Sequence, residues 1–286
     1  MMKMELLTIK QFNLSVGGDQ KIKNSSFSVN PGDVVLLSGP NGCGKSTLIK
    51  VLMGAAFEYD SLDYSYDVVE YKEEHGILDS ESENESFRRS VCYVSQEDEF
   101  ESDSVLDCFI NSIEYSVKEN KSKYVLDFIK RYSIYDCFGI DSSIDRLDRR
   151  CRRILKQLGL SQQEMTQEDI MAAKYLSMST RRMSGGQKKL TNIFSNLIRY
   201  AFSELIIMDE PLNNLDYTNV RAFSNVLTNI YRSKPELAII LVTHCRSIPI
   251  VSRIIEIDPV QKQFVEGENY ICSSCFGTVG EDGRYS

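Results

Sequence analysis

The run "VVLLSGPNGCGKSTLIKVLMG" (34–54) constrains this chain more than any other stretch. Its first four residues read as a buried strand, and the text after Lys45 reads as a helix that Gly54 closes. Between them, "GPNGCGKST" (39–47) fills the pattern G-x-x-x-x-G-K-S/T in the strand-to-helix setting that gives the pattern meaning. Glycines let backbone amides wrap phosphate oxygens without side chains in the way. Lys45 reaches the outer phosphates, and Ser46 offers a hydroxyl to Mg²⁺. The candidate phosphate-binding residues are therefore Gly39, Pro40, Asn41, Gly42, Cys43, Gly44, Lys45, Ser46 and Thr47. Cys43 reads as a small filler rather than a redox group.

Two later strands carry polar residues at their ends. In "ELIIMDEP" (204–211) Asp209 sits at the carboxyl end of four apolar residues, where open parallel sheets bind ligands. Asp209 suits a Mg²⁺ role, and Glu210 can hold and deprotonate a water aimed at a terminal phosphate. "LVTH" (241–244) ends a third buried run on His244. A lone histidine is often purely structural, but its place after a third strand of this pattern favours a phosphate contact. "RRMSGGQKKL" (181–190) adds a second anion signal. Ser184, Gly185 and Gly186 open a run with apolar residues at 190, 193, 194, 197 and 198, which is helical spacing. A helix start of small residues presents free amides and the positive dipole end to an anion.

Composition sets the limits. With 286 residues, 42% apolar and 26% charged, the chain reads as one large soluble domain or two modest ones. A net charge of −8 argues against general binding to nucleic acid or anionic membranes. The longest apolar runs fall far short of the ~18 residues of a spanning helix, so no direct membrane insertion is expected. Glu5 interrupts the start where a signal peptide needs an apolar run. Eight scattered cysteines suggest reduced thiols in the cytoplasm. The C-x-x-C of Cys272 and Cys275 lacks a second pair for zinc and reads as free thiols.

Along the chain, residues 4–36 suggest a small sheet feeding the first buried strand. Residues 58–86 hold eleven acidic residues against the one Lys72, and are expected to be a solvated, partly mobile insertion. From about 104 to 176 the periods are helical, with a capping-box spacing from Thr166 to Asp169. "DRLDRRCRR" (145–153) has five arginines, but Ile144, Leu147, Cys151, Ile154, Leu155 and Leu158 form an apolar stripe that turns them to solvent.

The ordered series of phosphate loop, "YVSQ", "MSGGQ", "IIMDEP" with "NNLD", and "VTH" resembles an ATP-binding cassette (ABC) ATPase over most of residues 5–258. The resemblance implies an α/β fold: a P-loop NTPase core of ABC type with an N-terminal antiparallel β subdomain and an inserted helical subdomain. The core lobe would be 1–100 and 184–270, the helical lobe 101–183, and the tail 271–286. ATP and Mg²⁺ are the implied ligands. Gln96 would link the metal and the attacking water to the helical lobe, joining Ser46 and Asp209 as metal residues. Ser184, Gly185, Gly186 and Gln187 would form the signature, Asp216 the D-loop, and His244 the switch. In such cassettes two subunits pack head to tail, each signature closing the partner's phosphate loop, so a second ABC subunit is expected, most simply in a homodimer.

Two departures accompany the resemblance. Val16 stands where an aromatic residue usually stacks on adenine, with Phe12 as the nearby substitute, and Met183 replaces a leucine. The first functional reading is the ATPase subunit of a membrane transporter whose spanning subunits are separate chains. The alternative is a soluble ABC ATPase of a ribosome, repair or defence complex. A nucleotide-gated scaffold ranks last, because Lys45, Asp209, Glu210 and His244 are all retained.

Overall fold

The computed structural model describes residues 5–54, 61–72, 74–75, 77–78, 81–95, 102–143, 147–158, 160, 165–243 and 248–267. The chain divides into two compact units, Met1–Gln96 with Ser203–Asn213 and Lys234–Ser286, and Glu97–Phe202 with Asn214–Ser233.

The first unit begins with a hairpin of β1 (Leu7–Val16) and β2 (Asp19–Val29). Gly17 and Gly18, at φ 59 and 79, make the two-residue turn between the paired Val16 and Asp19. Both central residues at positive φ match the twist of the flanking strands. Next come β3 (Val34–Ser38) and α1 (Lys45–Leu52), then β4 (Leu62–Ser65), β5 (Val68–Tyr71) and β6 (Glu74–His75). Helix α2 (Glu81–Ser90) leads into β7 (Val91–Val94), and β8 (Leu205–Asp209), β9 (Ala238–Val242), β10 (Arg253–Ile257) and β11 (Phe264–Glu266) complete the unit.

Two sheets result. One is antiparallel, in the order β2-β1-β5-β6, with β4 also paired to β1. The other runs β11-β10-β3-β9-β8-β7, parallel throughout except for β11 at its edge. Strands β3, β8 and β9 are buried at every residue, the condition that continuous Val/Ile/Leu runs satisfy in parallel sheets. Val35, Leu37, Leu205, Ile207, Ile240 and Ile255 share a core with Leu48, Ile49 and Leu52 of α1 and with Leu7, Ile9 and Phe12 of β1. Each such side chain contributes about 1.5–3 kcal/mol by leaving water.

The acidic stretch 58–86 departs from the expected solvated insertion. Its described residues supply β4, β5 and β6, and the first part of α2. Val69 and Tyr71 are buried, as is Phe87 of α2, while Glu70 between them is only partly covered and Asp63 is exposed. The charges mask a period-2 alternation that pins these strands onto β1.

The second unit is helical: α3 (Val105–Ser112), α4 (Lys121–Arg131), α5 (Arg149–Gln157), α6 (Gln167–Ser177), α7 (Gly185–Leu197) and α8 (Tyr217–Ser233). The helix opened by the signature, and the one after it, therefore group with the helical lobe rather than with the 184–270 core lobe drawn from the sequence. Phe109, Phe128, Tyr132, Tyr175 and Tyr200 form linked ring contacts at its centre. Arg149, Arg150, Arg152 and Arg153 of α5 are exposed, while Cys151, Ile154 and Leu155 are buried and Leu158 half-buried; Ile144, Asp145 and Arg146 lie outside the described residues.

Helix α6 starts with the expected capping box. Asp169 Oδ2 accepts from the Thr166 amide at 2.9 Å and its hydroxyl at 2.7 Å. Asp169 Oδ1 accepts from Lys130 at 2.6 Å, tying α6 to α4. Burial works to raise the Asp169 pKa, but Lys130 and Thr166 outweigh it, and the carboxyl titrates below its ordinary value. A depressed carboxylate stabilises the fold above its unfolded pKa of ~3.9, and that contribution is lost as pH falls through the folded value. Asp169→Asn should therefore cost about 1–3 kcal/mol near neutral pH. In urea unfolding, its deficit relative to wild type should begin to shrink as the pH drops below ~3.9 and close as the pH falls through the folded value.

Candidate active site

The parallel register decides where chemistry can occur. Residues 34–37 of β3 pair with 239–242 of β9, and 205–209 of β8 with 238–242, so the strands end together. Ser38, Asp209 and Val242 bring the phosphate loop, Asp209–Glu210 and Thr243 to one edge.

The loop is built around a buried ammonium. Lys45 donates to the carbonyls of Gly39 at 2.9 Å and Pro40 at 3.0 Å, closing the loop over itself. The half-buried Cys43 Sγ lies 4.0 Å from the same ammonium and fills space beside Gly39, in keeping with a packing role. Gly44, at φ 103, starts α1 with no side-chain cap. A Cβ there would stand 3.0 Å from Lys21 Cβ and 3.3 Å from Leu14 Cδ2, so only glycine meets both the backbone and the space. Uncapped amides at the start of α1 are left for an anion.

Ser46 Oγ donates to Asp209 Oδ1 at 2.9 Å. Two hard oxygen donors held side by side at the rim of a phosphate loop fit Mg²⁺, which prefers few carboxylates plus phosphate oxygens. Glu210, buried and next in sequence, turns out of β8 with φ 50. Its amide donates to Val242 O at 2.8 Å, and its carbonyl accepts from Asn213 at 3.2 Å. A bulky residue in the left-handed region stores on the order of 1–3 kcal/mol, and here those two bonds fix it.

A pocket of about 500 Å³ lies over this arrangement. Asn41, Gly42, Gly44, Lys45, Ser46, Thr47 and Glu210 line it, together with Val16, Lys21 and Asn213. Phe12 cannot take the place of a stacking ring: it is fully buried in the core beneath β1. Lys21 gave no sequence signal, since a lysine in a strand is an ordinary surface residue; Asn213 opens the "NNLD" run, where only Asp216 carries an expected role. Gln96 and His244 lie outside the described residues, as do Cys272 and Cys275.

The signature residues open α7 in the helical unit. Ser184 Oγ accepts from the Gln187 amide at 3.3 Å, and Gln187 Oε1 accepts from the Ser184 amide at 3.1 Å. This capping box gives the Gln187 side chain a structural task and leaves Gly185 exposed. Asp216 caps α8 in the same way, accepting from the Asn219 amide at 2.8 Å.

The sequence profile of the ABC transporter family matches residues 22–213. The chain belongs to that family and is an ATPase of the ABC type. The phosphonates import ATP-binding protein PhnC of Fusobacterium nucleatum is 26% identical over 238 residues, 82% of this chain and 81% of that protein. An ABC transporter ATP-binding protein of Methanosarcina acetivorans is also 26% identical, over 78% of this chain but only 28% of its own length. Among solved structures, cbiO1 from Clostridium perfringens, part of the ABC transporter complex cbiONQ, is similar in fold. Its TM-score is 0.61 at 20% identity, covering 92% of this chain and 88% of that one.

Removing the ammonium should disable the loop. Lys45→Ala should lower ATP hydrolysis on the order of 10²–10³-fold, measured by phosphate release. A folded Lys45→Ala protein with near-wild-type turnover would refute the loop assignment.

Proposed function

We propose that this chain binds and hydrolyses Mg-ATP as one half of a head-to-tail cassette pair, and drives separate membrane-spanning subunits of an ABC transporter. The observation that carries the reading is the pocket shared by Lys45, the Ser46 of the Ser46–Asp209 pair, and Glu210. The Lys45 ammonium, held by two loop carbonyls, exchanges them for outer-phosphate oxygens, a stronger charge-assisted contact. Ser46 and Asp209 hold Mg²⁺, which when bound neutralises charge on the phosphates. Glu210 orients the attacking water and takes its proton. Gln96 and His244 enter this reading by sequence resemblance, as the groups that join the metal and the terminal phosphate to the rest of the machine.

Dimerisation rests on the family resemblance, in which each signature closes the partner's phosphate loop. All the lining residues of the pocket belong to the first unit, whereas Ser184, Gly185, Gly186 and Asp216 belong to the helical unit. A second cassette, most simply another copy of this chain, supplies its signature across the interface. Separate spanning subunits are supported by the phosphonates import ATP-binding protein PhnC, of which this chain covers 81%; no helix among the described residues is long and apolar enough to cross a membrane.

Two experiments test the reading. Glu210→Gln keeps size and hydrogen bonding but cannot accept the water's proton, so hydrolysis should fall on the order of 10²–10⁴-fold while ATP binding persists. The variant should accumulate as a dimer in Mg-ATP by size-exclusion chromatography. Unchanged single-turnover hydrolysis refutes the base, and a strictly monomeric slow variant refutes the shared site. In the second, Lys45→Ala and Ser184→Arg chains, each inactive alone, are mixed. A mixed dimer contains one site with an intact loop and an intact signature, so activity should return. Dimers that form and stay inactive would contradict assembly in trans.

A further inference from the structure

A second cation faces the phosphate loop. Lys21, in β2, lines the same pocket as Lys45. Its stem lies on the loop backbone: a Cβ built on Gly44 would stand 3.0 Å from Lys21 Cβ and 3.7 Å from its Cγ. Gly44 is where α1 begins, with its uncapped amides. The lysine thus reaches over the end of the loop where an anion would be bound.

The ammonium of Lys21 is tethered loosely. It lies 2.8 Å from Asp19 Oδ2, while Asp19 Oδ1 lies 3.1 Å from Lys262. Among the described residues, one carboxylate therefore serves both cations. Asp19 is 59% exposed, and an ion pair so open to water holds its partners weakly. If Lys21 leaves, Asp19 keeps Lys262. Transfer of Lys21 to a phosphate oxygen loses little and gains a charge-assisted contact in a more enclosed place.

We infer that Lys21 is a second phosphate-binding lysine of the nucleotide site, released from Asp19 when the polyphosphate enters. Its stem lies beside Gly44 at the start of α1, so its contact is with the phosphates held there. The inference rests on the nucleotide site proposed above and adds a residue to it. A lysine so placed also has a competing role, a hydrogen bond to the base, and the two differ in what they discriminate. A phosphate contact treats adenine and guanine nucleotides alike and is screened by salt.

Isothermal titration of the full chain with Mg-ATP and Mg-GTP, at low and high salt, separates these roles. Lys21→Ala and Lys21→Gln should each raise Kd about 5- to 20-fold at low salt. The loss should be equal for the two nucleotides and shrink at high salt. Asp19→Asn, which frees Lys21, should tighten binding. The inference is overturned if both Lys21 variants bind like wild type, if the loss ignores salt, or if it is confined to one nucleotide. It is equally overturned if Asp19→Asn weakens binding as much as Lys21→Ala does. Lys45→Ala in the same titration keeps the two proposals apart. Weakened binding in Lys45→Ala beside normal binding in the Lys21 variants removes only Lys21's role, whereas undiminished binding in Lys45→Ala removes the nucleotide site itself.

Discussion

The hydrogen bond from Ser46 to Asp209 joins residues 163 positions apart, and the site depends on what makes it possible. Ser46 stands in the first turn of α1 and Asp209 on the last residue of β8. They meet because β3 and β8 both pair with β9 in a parallel register that ends all three strands at one edge. The three strands are buried at every residue, mostly Val, Ile and Leu, and the close packing of both their faces holds that register. Apolar burial in the sheet thus places two small polar groups within hydrogen-bonding distance.

Much of this was legible in the sequence, where local chemistry and spacing coincide. The phosphate loop, the apolar runs of β3, β8 and β9, and the capping box at Thr166 each depend on residues close together in the chain. So do the stripe of α5 and the buried apolar positions 190, 193, 194 and 197 of α7, where periodicity is the direct consequence of packing. What resisted reading depends on distant partners. The strands of 62–71 looked like a charged insertion because acidic residues on one side of each strand dominate the text, while Val69 and Tyr71 on the other side fix the pairing with β1. Lys21 reaches the pocket only because the β1–β2 hairpin lies against Gly44, a contact that no local pattern announces. Phe12 shows the reverse error: position in the sequence suggested a place near the base, but the irregularity of β1 at Gln11 (φ 52) resets its alternation and puts Phe12 with Leu14 in the core.

Glu210 illustrates a different limit. Its identity was plain in "IIMDEP", yet its conformation was not. A strand continuing through residue 210 would point successive side chains to opposite faces. The positive φ breaks that alternation at the residue after Asp209, so both neighbouring carboxylates serve one edge of the sheet. The bond from its amide to Val242 holds the turn from β9, the central strand of the trio. Local strain is tolerated there because the surrounding register over-determines the position.

The helical unit applies the same economy to backbone amides. Ser184 and Asp216 each cap a helix, and the two caps meet at one asparagine. Asn219 Nδ2 donates to Asp216 Oδ2 at 3.0 Å, and the same nitrogen would stand 2.8 Å from a Cβ placed on Gly186. The start of α7 and the start of α8 therefore approach at backbone distance, with the Asn219 amide wedged between them. Gly186 has a packing reason to lack a side chain, since Asn219 already fills the space beside it. A motif that reads in sequence as one end of an anion site is, in the folded unit, also a packing joint. Displacing its backbone would disturb the cap that starts the next helix.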